Sequence, residues 1–198
     1  MTLDQAAAFL VFALVAAITP GPSNTMIVAT ASAAGLWRGL PCVLGASAGM
    51  GTLLFCSALG LGQLVIAQPM LLRALNWGGA AFLLWFAWKI ANAGRVSDVR
   101  APKPVGFIGA AAFQWINPKG WLVAVGAAGT YLQATPDNAL SQAMAFGALF
   151  FATALPSGLV WLALGATVHA LLRDERSARM FNIVMGVALA ASVATMFR

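Results

Sequence analysis

Three stretches of this sequence carry no charged side chain: residues 5–37, 39–72 and 138–172, which are 33, 34 and 35 residues long. A helix needs about 20 apolar residues to cross a bilayer, so each stretch has room for one span and a turn or break besides. The 198-residue chain is 61% hydrophobic and 8% charged, whereas ordinary soluble domains are roughly a quarter charged. The expected fold is all-α and polytopic, with the lipid bilayer as its first partner.

Other classes fall away on the same grounds. The net charge of +6 would suit nucleic acid only if the cations formed a basic face on a soluble domain; here they sit in short loops, and no nucleic-acid partner is expected. One histidine and two separated cysteines cannot build a metal centre, and no metal or cofactor is expected. Cys42 and Cys56 share one apolar segment 14 positions apart, about 21 Å along a helix, too far to pair. No Lys or Arg precedes Arg38, so the basic start of a cleaved signal is missing and the first apolar segment is expected to stay in the mature protein.

Spans that are apolar on all sides have no amphipathic period, so charges, turn residues and prolines delimit them. Six segments emerge: about Gln5 to Ala34, Gly39 to Leu61, Met70 to Ala91, Gly106 to Leu132, Ala139 to Leu172 and Met180 to Phe197. A polar stretch from Asn92 to Val105 holds Arg95, Asp98, Arg100, Pro102, Lys103 and Pro104, and a short turn spans Thr135 to Asn138. The fifth segment would make a straight helix of roughly 50 Å, longer than the ~30 Å hydrocarbon core. A kink at Pro156 is expected there; a seventh span is not, because no polar turn surrounds it.

Positive charge sets the orientation. Arg38, then Lys89, Arg95, Arg100 and Lys103, then Arg173, Arg176 and Arg179 flank alternate loops, eight of the eleven cations. Arg73 and Arg198 fall on the other side, and Lys119 lies inside the fourth segment. Both termini are thus expected outside. Trp37, Trp88 and Trp77 fit an interfacial aromatic belt.

With that orientation the two halves run oppositely. One transmembrane domain, residues 1–198, is expected to contain inverted repeats at about 1–92 and 106–198, joined by a cytoplasmic linker at about 93–105. Each half opens with a span broken near its middle, at Pro20-Gly21-Pro22 and at Asn117-Pro118-Lys119-Gly120. Paired broken helices in matching places are the sequence pattern of an inverted-repeat transporter. Proline removes a donor, so carbonyls near Ala16, Ala17, Phe113 and Gln114 are expected to lose their intrahelical partners, which at that depth is tolerable only where the backbone is buried or lines a wet cavity.

Polar residues gather at these breaks: Thr19, Ser23, Asn24 and Thr25 at the first, Gln114, Asn117 and Lys119 at the second. A helix restarting after Pro22 offers N–H groups and the positive end of its dipole to a carboxylate, and a lysine at mid-membrane is read as functional by default. The candidate substrate-binding set is therefore Thr19, Pro20, Gly21, Pro22, Ser23, Asn24, Gln114, Asn117, Pro118 and Lys119, taking one small zwitterion. The competing readings are proline kinks with no further role, and a Lys119 that snorkels to an interface. Trp115 and Trp121 either line the cavity or pack beside it.

Gly45-Ala46-Ser47-Ala48-Gly49 matches the Gly-x-Ser-x-Gly elbow of hydrolases, but that motif needs a strand, a turn and a helix. Inside a continuous apolar span it reads as a helix-packing face, Gly45 with Gly49. An intramembrane hydrolase using Ser47 or Ser157 with His169 is the weakest alternative, and no enzyme activity is expected. A passive channel is the stronger rival, since paired half-helices also build pores.

Taken in order, Thr19-Pro20-Gly21-Pro22-Ser23-Asn24, Gly35-Leu36-Trp37-Arg38-Gly39, Gly45 with Gly49, and Asn117-Pro118-Lys119 resemble the two half-signatures of the LysE/RhtB family of amino-acid exporters. Trp77-Gly78-Gly79-Ala80-Ala81-Phe82 and Trp85-Phe86-Ala87-Trp88-Lys89 are most similar to its cysteine and O-acetylserine exporter branch. The resemblance implies a bacterial inner-membrane exporter for amino acids or their derivatives, working as an antiport driven by the proton gradient. With the orientation set by the cations, both termini would be periplasmic, and a second copy of the chain is a candidate partner. One departure bears on substrate. No Asp or Glu lies inside an expected span, whereas a cationic amino acid would want a buried carboxylate. Neutral zwitterions such as cysteine, O-acetylserine, homoserine or threonine are favoured. The same absence removes the usual proton carrier and leaves Lys119, His169 or an indirect coupling.

Overall fold

The computed structural model describes residues 1–92, 104–133, 135, 137–171 and 175–194, and every regular element among them is helical. Helix α1 (Leu3–Ile18) opens on a capping box. The Gln5 N–H donates to the Thr2 hydroxyl at 3.2 Å, and the Thr2 N–H donates to Gln5 Oε1 at 2.9 Å. The helix stops because the residue before a proline is pushed out of the helical region; Thr19 has ψ 127°. Helix α2 (Pro22–Ala34) restarts with proline in its first turn, where the missing N–H costs nothing. The two axes are bent by 52°.

Gly35 then takes φ 81° and ψ 176°, a region essentially reserved for glycine. That single residue reverses the chain into α3 (Leu36–Cys56), which runs through a π turn at Ser57–Leu61 into α4 (Gly62–Ala67). Helix α5 (Pro69–Ala91) follows. The second break repeats the logic of the first. Helix α6 (Phe107–Ile116) ends at Asn117, whose ψ is 109°, and α7 (Pro118–Tyr131) restarts on proline. Helix α8 (Ala139–Leu171) is one helix of 33 residues with Pro156 inside it, and α9 is Glu175–Ala194.

Two boundaries differ from expectation. The second segment passes Leu61 and Gln63 and ends at Ala67, because a π turn lets the helix continue where a polar residue suggested a stop. The last helix starts at Glu175 and not near Met180, and a charged residue such as the exposed Arg176 is tolerated in its first turn. The linker cations Arg95, Arg100 and Lys103, with Asp98 and Pro102, lie outside the described residues, as do Pro136, Arg173, Asp174, Arg198 and the His169 side chain.

By length and composition three described helices can cross a bilayer: Leu36–Val65, Pro69–Ala91 and Ala139–Thr167. The bent pair α1 and α2 makes a fourth when taken as one span, while Phe107–Ile116 and Arg179–Ala191 are shorter apolar helices. Apolar side chains also cover the outside. Val11, Leu14, Trp37, Trp77, Trp88 and Leu122 are all exposed, as lipid-facing surface requires and water-facing surface does not.

Helices α3 and α8 form the centre, in contact along their length. Where they cross, a Cβ added to Gly51 would lie 2.9 Å from the Gly147 carbonyl oxygen, and one added to Gly147 would lie 2.8 Å from that of Gly51. Gly45 and Gly49 face α6; a Cβ on Gly45 would run into the Phe107 carbonyl, and one on Gly49 would lie 2.6 Å from the Ala111 oxygen. Small residues thus let backbones touch where lipid supplies no hydrophobic drive for helix association. One buried cluster, including Met26, Val43, Leu83 and Leu189, joins α2, α3, α5 and α9. Another, including Phe9, Leu53, Trp121 and Phe146, joins α1, α3, α7 and α8. A cavity lies between them.

Candidate substrate site

The two helix breaks meet. From the second break, the Lys119 ammonium reaches back to the first and donates to the Thr19 carbonyl oxygen at 2.9 Å and to that of Pro20 at 3.5 Å. These carbonyls sit at the C-terminal end of α1, the negative pole of its dipole, which is where a cation is stabilised. Asn24 reaches the same end from α2, its Nδ2 donating to Ala17 O at 3.0 Å and Thr19 O at 2.9 Å. The Ala17 carbonyl, expected to be orphaned by the proline element, is therefore capped by a side chain seven residues on. The Gln114 carbonyl is likewise recovered, by the Asn117 N–H at 3.3 Å.

A hydroxyl ties the breaks together a second time. Ser23 donates to Gln114 Oε1 at 2.8 Å and accepts from Asn117 Nδ2 at 3.1 Å. Gln114 is fully buried and its amide donates to Ala110 O at 3.1 Å, while Asn117 Oδ1 caps α7 by accepting from the Lys119 N–H at 3.2 Å. Every polar atom of this relay has a stated partner, which is what burial demands.

Gly21 explains how Lys119 fits. Its φ of −177° is extended backbone open to any residue, so conformation does not require glycine. Space does. A Cβ there would lie 2.9 Å from Lys119 Nζ and 3.0 Å from its Cδ. The lysine side chain lies across the bare backbone of the first break.

Beside this junction is a cavity of about 60 Å³, several times the ~10–15 Å³ that one water needs. Gly21, Ser23 and Asn24 of the first break and Asn117, Lys119 and Gly120 of the second line it. Of the other candidates, Thr19, Pro20, Pro22, Gln114 and Pro118 do not. Thr19 and Pro20 contribute carbonyls to Lys119, Gln114 anchors the relay from beneath, and Pro118 packs where a Gly79 Cβ would lie 2.6 Å from its ring. Trp115 and Trp121 stay out of the lining too. They brace the break, with Trp121 Nε1 donating to Trp115 O at 2.8 Å and the rings edge-on at 6.1 Å.

Ala16 and Ala17 of α1, Ile27 of α2 and Val123 of α7 add to the wall, and the rest comes from two helices that motif reasoning did not assign to the site: Ala46, Ser47 and Met50 of α3, and Phe150, Ala154 and Gly158 of α8. Ser47 drew notice only through the hydrolase elbow, and nothing in an all-round apolar helix signals which face turns inward. The elbow reading has no geometric basis, since Ser47 lies within the continuous helix α3. Ser157 Oγ is buried with no hydrogen-bond partner, so no base stands beside it among the described residues. Cys42 and Cys56 are free thiols.

An integral-membrane helical protein with a largely apolar cavity that polar side chains of two paired helix breaks enter is built as a translocator. The chain belongs to the LysE type translocator family, whose sequence profile matches residues 14–196, and it is a transporter, not an enzyme. It is 34% identical over 133 residues to the cysteine/O-acetylserine efflux protein of Salmonella typhimurium strain LT2, covering 67% of this chain and 68% of that one. With the cysteine/O-acetylserine efflux protein of Escherichia coli strain K12 the identity is 30% over 190 residues, or 96% of this chain and 95% of the other. No solved structure gives a significant match.

Proposed function

We propose that this transporter exports a small neutral amino acid of the cysteine, O-acetylserine, homoserine or threonine type across the bacterial inner membrane, driven by the proton gradient. The observation that carries this is the Lys119 ammonium at the cavity, 2.9 Å from the Thr19 carbonyl. A substrate carboxylate entering the cavity meets a full cation whose current partners are neutral carbonyls, and a charged acceptor makes the stronger bond. Among the described residues no carboxylate lines the cavity, so nothing there would neutralise a cationic side chain. The names of the relatives, cysteine/O-acetylserine efflux protein, agree with a short polar substrate.

The proposed architecture is six spans in two inverted halves, residues 1–92 and 106–198, with both termini periplasmic and α6 with α7 taken as a broken span like α1 with α2. It is supported by the matching proline breaks and by the reciprocal contact of Gly51 and Gly147, which lie on the second span of each half. Alternating access then needs a seal on each side of the site. Phe9, Phe12, Tyr131 and Phe146 pack on the side of the α1 N-terminus, with the Phe9 and Phe146 rings 4.4 Å apart. Phe146 is one turn of α8 from Phe150 in the cavity wall, so this cluster is the proposed outer seal.

Loading of inside-out vesicles with labelled O-acetylserine or cysteine, with and without an imposed proton gradient, tests the proposal. Accumulation above the bath that an uncoupler abolishes is expected. Equilibration alone would mean a passive channel, and no movement of any neutral amino acid would sink the proposal.

A further inference from the structure

Most of the cavity's polar side chains are already engaged in holding the breaks. Ser23 and Asn117 bond each other and the buried Gln114, Asn24 caps α1, and Lys119 bonds Thr19 O. Ser47 is different. It lines the cavity and is 2% exposed. A hydroxyl inside a helix usually donates to a carbonyl one turn back, as those of Thr25, Thr52 and Thr153 do here. No such bond is seen for the Ser47 hydroxyl among the described residues. Among the described residues the hydroxyls sealed off without a partner are those of Ser57 and Ser157, not of Ser47; the Ser47 hydroxyl borders the space a solute would fill.

Its surroundings define what it would meet. Along α3 and α8 the neighbouring lining residues are Ala46, Met50, Phe150, Ala154 and Gly158, all without a polar side-chain donor or acceptor of strength. If the substrate's carboxylate is drawn to Lys119, the side chain extends toward this wall, where Ser47 alone offers a hydrogen bond. The small residues Ala46, Ala154 and Gly158 leave room there; Met50 and Phe150 limit length.

We infer that Ser47 is the specificity-determining residue of the site, selecting amino acids with a short side chain that carries a polar atom over apolar isosteres of the same size. This rests on the amino-acid export proposed above and adds the means of discrimination. A site built to bond a polar group rejects the analogue that lacks it more strongly than a pocket rejects by size alone.

The test is competitive transport into inside-out vesicles of serine against 2-aminobutyrate, which replaces the hydroxyl by a methyl group. The unaltered protein should prefer serine, and Ser47→Ala should cut that preference about fivefold, the loss of one hydrogen bond. Ser47→Thr, which keeps the hydroxyl, should restore it. An unchanged ratio in Ser47→Ala, or an equal loss for both solutes that Ser47→Thr shares, would overturn the inference and leave the export reading standing. Failure of the unaltered protein to carry serine, 2-aminobutyrate or any other neutral amino acid would overturn both, and Lys119→Arg run in parallel reports on the export reading alone, because its residual transport should be lowered alike for both solutes.

Discussion

The ammonium of Lys119 lies 2.9 Å from the carbonyl oxygen of Thr19, a residue one hundred positions earlier in the chain. A cation inside the membrane-embedded part of a protein needs a partner, and here it is the exposed end of a broken helix. The candidate site and the junction of the two helix breaks are therefore the same place.

Replacing this lysine should separate transport from folding. Lys119→Ala is expected to abolish export while leaving the protein in the membrane fraction at normal yield, because Asn24 still caps α1 and the Ser23 relay still joins the breaks. Lys119→Arg keeps the charge but brings a wider planar group over the bare Gly21 backbone, so recovery to less than about a tenth of normal export is expected. Vesicle transport with immunoblotting of membranes measures both.

Two glycines in one stretch of chain should respond in opposite ways. Gly21→Ala fits the backbone but puts a methyl against the far end of the lysine side chain, which can swing aside. Stability should hold and transport should drop severalfold. Gly35 has open space around it but φ 81°, so Gly35→Ala should lower thermal stability by about 1–3 kcal/mol, with a smaller effect on substrate affinity. Melting in detergent beside transport KM distinguishes the two.

The Ser23 hydroxyl serves Gln114 and Asn117 at once. Ser23→Ala leaves the buried Gln114 oxygen without that donor, at a cost of about 1–3 kcal/mol. Substituting Gln114 by Leu as well removes the group that needs satisfying, so the double variant should be less destabilised than the sum of the singles. Denaturation in detergent of the four proteins in the cycle gives the coupling, and strict additivity would contradict the relay.

At the crossing of α3 and α8 the two glycine backbones leave no space for a methyl group. Gly51→Ala gains up to about 1 kcal/mol in helix propensity, yet should lower the melting temperature because a backbone oxygen stands in the way. Were the melting temperature to rise, the close approach would be wrong.

Phe146→Ala should open the seal beside the site. Substrate is expected to run down its gradient through the variant without an imposed proton gradient, where the parent holds it. Tight vesicles with this variant would remove the four-ring cluster from the transport cycle.

The breaks were legible because their cause is covalent and local. Pro20, Pro22 and Pro118 lack N–H groups wherever they sit, and Thr19 and Asn117 adopt the extended backbone that precedes proline. The long apolar helices were legible for a similar reason, since long charge-free runs have few places to go but lipid; three of them, or four with the bent pair, are long enough to cross a bilayer. The wall of Ser47, Met50, Phe150 and Ala154 was not legible. Helices α3 and α8 are apolar around much of their circumference, so the sequence carries no strong period to say which face points inward. Nor could it tell that Thr19 and Pro20 would act through their carbonyls and Gln114 from beneath the site.

Sequence alone determined that the chain is a membrane protein, that two helices break at matching points, and that one lysine stands at the second break. These follow from solvation cost and from the chemistry of proline, which need no neighbours. Only the tertiary structure decided that Lys119 rests on the end of α1, that Ser23 spans to Gln114 and Asn117, and that Ser47 faces the cavity. Rotation of a helix about its axis is settled by packing against other helices, and the small residues that set that packing act across the chain.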